Sequence, residues 1–280
     1  MLKKAIGLLL LPFYTRALST SEYGVLDTLS TFSFFLFIIL GLGLEGATGR
    51  YFFIANTEYE KGRVLYTSII IRIISNVLPI FIMILFSSQI SQILFKTDKY
   101  TWVIVLSLTA CLVYNINSLQ EILFRYYRKA WKYTLVMVLR AFINPISGIL
   151  LVVVLQWGVF GAQLSSLFSS LFILLFSFFY YTRKKYVRDF SWDWAKKMLK
   201  FGYPLIFTGI LVWVNSVSDR FFLLHYWTLD QIGLYAIGGT FSQLILFINL
   251  AINLSSPVLV MSLYTEEKNE NKPKTKTNTL

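Results

Sequence analysis

Gly158–Tyr181 reads GVFGAQLSSLFSSLFILLFSFFYY, an apolar run without a single Asp, Glu, Lys or Arg. At about 1.5 Å of rise per helical residue, such a run crosses the roughly 30 Å hydrocarbon core of a bilayer. Six further stretches read the same way: Gly24–Leu44, Val64–Phe86, Thr101–Leu123, Tyr133–Leu155, Phe201–His225 and Ile232–Ser262. An eighth, Ala5–Leu18, is shorter and contains Pro12. Together they predict an all-α, polytopic membrane protein of about eight transmembrane helices: a first six-helix bundle plus two helices of a second.

Composition leads to the same solvent. Of the 280 residues 56% are hydrophobic and 14% charged, against roughly 25% charged in an ordinary soluble domain. The net charge of +12 invites a nucleic-acid reading, but Lys and Arg form no single patch. Twenty of the 26 fall in alternate connections, from Lys3–Lys4 through Arg50–Arg63, Arg125–Lys132 and Arg183–Lys200 to Lys268–Lys276, while only Arg16, Lys96 and Lys99 fall in the others. Positive residues are retained on the cytoplasmic side. The asymmetry therefore predicts the cytoplasmic (inner) membrane, both termini cytoplasmic and no nucleic-acid partner. Tyr100, Trp102, Trp131, Tyr133, Trp157, Tyr226 and Trp227 near span ends fit interfacial anchors.

These spans predict four segments: a first bundle over residues 1–181, a cytoplasmic amphipathic connection over 182–200, two further spans over 201–264 and a disordered polar tail over 265–280. Lys3–Lys4, the apolar stretch after them and Ala17-Leu18-Ser19 also allow a signal-peptide reading.

Few residues offer catalytic chemistry. Cys111 is the one cysteine and His225 the one histidine, so neither a thiol metal site nor a Ser-His-Asp set can be assembled, and no cofactor or metal is expected. Gly41-Leu-Gly-Leu-Glu-Gly46 has the letters of a dinucleotide fingerprint but ends a membrane span instead of following a strand. Its glycines are better read as easing helix packing or a break.

Charges in or beside spans carry more information, because a charged residue near mid-membrane costs roughly 2.5–3.5 kcal/mol on insertion scales. Arg16, Glu22 and Asp27 lie at one end of the second span and Arg50 beyond its other end. Asp219 and Arg220 lie near the outer end of a later one. Arg72 and Arg140 sit about two turns in from the cytoplasmic side, within snorkelling reach.

Three stretches together resemble the Wzx-like oligosaccharide flippases of the multidrug/oligosaccharidyl-lipid/polysaccharide (MOP) superfamily. They are Leu11-Pro-Phe-Tyr-Thr-Arg16 through Asp27, Gly41 through Arg50-Tyr-Phe-Phe53, and Phe201-Gly-Tyr-Pro-Leu205 through Ser218-Asp219-Arg220 to Ile232-Gly-Leu-Tyr235. That resemblance implies twelve to fourteen helices in two pseudo-symmetric bundles, of which this sequence supplies the first six, the first of them clipped, and two more. It implies translocation of a lipid-linked oligosaccharide diphosphate, with membrane lipid and other polysaccharide-assembly membrane proteins as partners. The cavity candidates it implies are Arg16, Asp27, Arg50, Asp219 and Arg220. Two alternatives stay open: a cation-coupled drug exporter of the same superfamily, which would want acidic residues deep in the first bundle, and a non-transporting scaffold or decayed gene product.

Overall fold

A computed structural model describes residues 12–127, 129–182, 187–240 and 242. Two compact units divide the chain, Leu2–Ile237 and Gly238–Leu280 with Met1. Of the second, only residues 238–240 and 242 are described, as helix; every contact below lies in the first. Among the described residues there is no strand.

The elements are α1 (Thr20–Gly41), α2 (Leu44–Ile54), α3 (Glu58–Leu85), α4 (Ser87–Phe95), α5 (Thr101–Tyr126), α6 (Ala130–Gly148), a π-helical turn (Ile149–Val154), α7 (Gly158–Thr182), α8 (Trp192–Val217) and α9 (Asp219–Tyr226). Residues 12–17 and 229–240 are also helical. Six helices among the described residues are long and apolar enough to cross a membrane, counting Thr20–Ile54 as one. Residues 5–11 of the expected Ala5–Leu18 span, which carry the start of the signal-peptide reading, most of the expected Ile232–Ser262 span and the 265–280 tail lie outside the described residues.

Helix starts follow local chemistry. Ser19 caps α1 through a reciprocal box with Glu22, which satisfies donors that a helix N-terminus leaves free. Thr57 caps α3 by accepting from the Glu60 N–H, and Ser191 caps α8 by accepting from the Trp194 N–H. Between α4 and α5, Asp98 accepts hydrogen bonds from Ser88 at 2.7 Å and Gln92 at 2.9 Å. These bonds hold its carboxyl below the usual carboxylate range.

In the expected 182–200 connection, the described residues Trp192–Lys200 form the first turns of α8. The approach to them is pinned: Arg63 pairs with Asp189 at 2.7 Å and the Ser191 N–H donates to Thr67 at 3.0 Å. The expected span Phe201–His225 is broken, since α8 ends at Val217 and α9 starts at Asp219.

Lipid tails are as apolar as leucine, so helices in a membrane associate through close packing and polar contacts. Both occur here. Thr48 and Ser68 hydroxyls meet at 2.6 Å between α2 and α3, Ser33 and Ser107 at 3.0 Å between α1 and α5, and Asn117 of α5 donates to the Ser170 carbonyl of α7 at 2.8 Å. Large apolar side chains point outward: Ile74, Leu78 and Phe81 of α3 are 63%, 62% and 59% exposed, as a lipid-facing stripe requires.

Candidate functional site

The glycine stretch after α1 builds the first part of the site. Leu42 and Gly43 both adopt left-handed backbone, at φ 50° and 61°, and the membrane-long helix breaks there into α1 and α2. A break orphans the last carbonyls of a helix. The Leu40 carbonyl is taken by Asn76 at 3.1 Å and Ser75 at 2.9 Å, both on α3. Gly43 lies against the backbone of Gly202 in α8, with no room for a Cβ on either.

Arg72 fills the space beneath this break. It is 1% exposed, donates from Nη1 to Asn115 of α5 at 3.0 Å and stands 3.8 Å from Glu45 of α2. Arg140 of α6 pairs with Glu121 of α5 and lies over the Tyr114 ring at 4.9 Å. Neither arginine snorkels, contrary to the reading of their depth. Each has a carboxylate on a neighbouring helix, Glu121 at 8% and Glu45 at 39% exposure, and such a partner costs less than stretching a charged chain along lipid.

At the other end of α1, charges from three segments converge. Arg220 donates from Nε to Asp27 at 2.8 Å and from Nη1 to Asp219 at 2.9 Å. Its guanidinium lies 5.6 Å from the centre of the Tyr235 ring, and Tyr235 in turn donates to Asp219. Thr20 donates to Asp230 nearby. Gly24 and Gly233 bring their backbones together so closely that a Cβ on Gly24 would strike the Leu229 carbonyl and one on Gly233 the Thr20 carbonyl. Below this cluster the indole N–H of Trp213 donates to the Thr31 carbonyl at 3.1 Å. The α1 start is thus fastened to α9 and to the helical residues 229–237.

Three of the five sequence candidates, Asp27, Asp219 and Arg220, therefore form one network. Arg16 and Arg50 stand apart from it. Arg16 is exposed before α1. Arg50 is exposed on α2, 4.6 Å from the centre of the Phe201 ring. Neither has an ion-pair partner among the described residues. Glu45, Glu121, Asp230 and Tyr235 were missed as site residues in the sequence. Glu121 was visible as a carboxylate inside the span Thr101–Leu123, and Glu45 as the one acid within the glycine run. Tyr235 closes one of the stretches that resemble the flippase family, but nothing in that stretch marked it as a partner of Asp219.

The described helices carry the fold of MOP-superfamily transporters. An inward-facing multidrug resistance MATE family transporter of that superfamily superposes with a TM-score of 0.63 and 19% identity, over 84% of this chain and 58% of that one. A MOP superfamily transporter from Pyrococcus furiosus, whose binding pocket is described as having reverse polarity, gives 0.64 and 17%, over 85% and 60%. The family model described as "Polysaccharide biosynthesis protein" matches residues 13–275, and the chain belongs to that family. Lsg locus putative protein 1 of Haemophilus influenzae is 26% identical over 275 residues, 93% of this chain and 62% of its own length. The chain spans about three fifths of the length of the curated relatives it matches.

Proposed function

We propose that the protein moves a lipid-linked oligosaccharide diphosphate across the cytoplasmic membrane, with the Arg50 end cytoplasmic and the Asp27 end outside. The observation that carries this reading is the unequal treatment of its arginines. Arg220, Arg72 and Arg140 are each matched with a carboxylate, whereas Arg16, just before the membrane-long Thr20–Ile54 segment, and Arg50, near its end, have none among the described residues. An exposed guanidinium forks onto phosphate oxygens. Arg50 then serves as the cation for loading and Arg16 as the one for release. The network at Asp27 is a latch that closes the outer end, and rocking one bundle against the other releases it. The step is binding and conformational change, with no covalent chemistry for a side chain to perform. Other polysaccharide-assembly membrane proteins are the partners this role implies.

The exporter alternative draws on the MATE likeness and on the acids inside the first bundle. Against it stands their pairing: Asp27 with Arg220, Glu121 with Arg140 and Glu45 beside Arg72. None of these three is left unpaired to hold a cation or a cationic drug. The test is flipping of a fluorescent lipid-linked oligosaccharide in reconstituted vesicles by this chain and by a longer relative bearing the same changes. Arg50→Ala and Arg16→Ala are expected to lower the rate at least tenfold, about 1.4 kcal/mol, with Lys restoring only part. Unchanged rates at normal protein levels remove the loading and release assignment.

A further inference from the structure

The start of α1 has a second polar feature beside the latch. A cavity of about 330 Å³ opens between the starts of α1, α5 and α7, with Trp102, Trp157, Tyr100 and Phe160 in its wall. Its charged lining is one carboxylate, Glu22, and one ammonium, Lys99. Trp102 is 73% and Trp157 48% exposed, and the Trp157 ring centroid stands 6.3 Å from that of Phe160.

Glu22 is only half committed to the helix cap. Its Oε2 accepts from the Ser19 N–H at 2.9 Å and the Ser19 hydroxyl at 3.1 Å. Its Oε1 lies towards Gly158, where any Cβ would approach it to 2.6 Å. Gly158 also holds a φ of 55° that favours glycine. Oε1 thus has no hydrogen-bond donor among the described residues, in an aromatic-walled recess.

Ligand chemistry follows from these parts. Several aromatic rings want an apolar face; one acceptor and one donor of opposite charge want hydroxyls that both give and take hydrogen bonds. A phosphate would meet Glu22 as a like charge. A hydrocarbon tail would bury Glu22 and Lys99 with nothing to replace their water. A sugar ring satisfies both demands, its C–H face on an indole and its hydroxyls on Glu22 and Lys99. We propose that this cavity is a binding subsite for an uncharged sugar ring of the transported glycan. Its part in transport rests on the flippase reading. Its position fits: Glu22 lies on α1 between Thr20 and Asp27, at the same end of the helix as the latch.

Sugar binding is measured without transport, by titrating the purified chain with lactose, cellobiose and N,N′-diacetylchitobiose and following tryptophan fluorescence. At least one is expected to give a saturable change, weakened on the order of tenfold in Trp102→Ala or Trp157→Ala by loss of a stacking face. Trp131→Ala, at the far end of the bundle, should keep the response. Glycerophosphocholine and inorganic phosphate are the comparison probes. A response to either of them but to no sugar, no response at all, or a response unchanged in both cavity variants overturns the proposal. Flipping with a null titration sinks the subsite alone, whereas a sugar response without flipping sinks the transport reading alone.

Discussion

Arg72 and Arg140 show how an intramembrane charge is decided by what lies beside it. From spacing alone both look able to reach the cytoplasmic interface, and Lys in their place looks harmless. Arg72 is instead 1% exposed and shares itself between Asn115 and Glu45. Removing one member of a buried pair such as Arg140–Glu121 leaves the other charge uncompensated, at a cost of about 3–5 kcal/mol. Glu45 is 39% exposed and partly screened, so the loss at Arg72 is smaller and falls on the space it fills and on Asn115. Arg72→Ala and Arg140→Ala are therefore expected to lower the thermal midpoint of the detergent-purified protein markedly. Arg72→Lys should recover only part, because an ammonium cannot reproduce the fork that reaches Asn115 while facing Glu45. Arg72→Lys with a native midpoint would show that the arginine does snorkel. What sequence lacked here was the partner: Glu45 and Glu121 lie 27 and 19 residues from Arg72 and Arg140, on other helices.

At the scale of elements, the long apolar runs locate the spans because backbone groups in lipid must bond within their own helix. The break at Leu42–Gly43 was legible too, since glycine tolerates left-handed backbone and permits close approach. What the run could not disclose is which helix fills the gap. That is α8, through Gly202. A Cβ there would meet the Leu42 carbonyl and Gly43 backbone, neither of which can move aside. Gly202→Val is expected to separate α8 from the break, seen as loss of the Tyr51–Trp194 ring contact, now 5.7 Å between centroids, in tryptophan fluorescence. An unchanged spectrum and midpoint would mean that this crossing is not tight. The pattern over 192–200 fits two arrangements for a related reason. Trp192–Lys200 mixes basic and aromatic residues as an interfacial helix does, yet the same pattern suits the first turns of a span that starts outside the membrane.

Across the whole molecule, the candidate residues sort by depth and partner more than by charge. Asp27, Asp219 and Arg220 were recognisable by their resemblance to a family pattern, and the fold brings them together with Thr20, Asp230 and Tyr235 at one end. Their convergence depends on α1, α9 and residues 229–237 meeting, which no local stretch encodes. Under the transport reading this end is a shut outer gate, and opening it must part Asp27 from Arg220 and Gly24 from Gly233.

That claim is tested most directly by tying the gate. Thr20 and Asp230, hydrogen-bonded and exposed, are replaced together by cysteine, while Cys111 stays buried inside the bundle. Oxidation should join the pair, an impermeant thiol reagent should compete for it from outside intact cells, and flipping in vesicles should stop until a reductant is added. A joined protein that flips as fast as the reduced one would contradict the account.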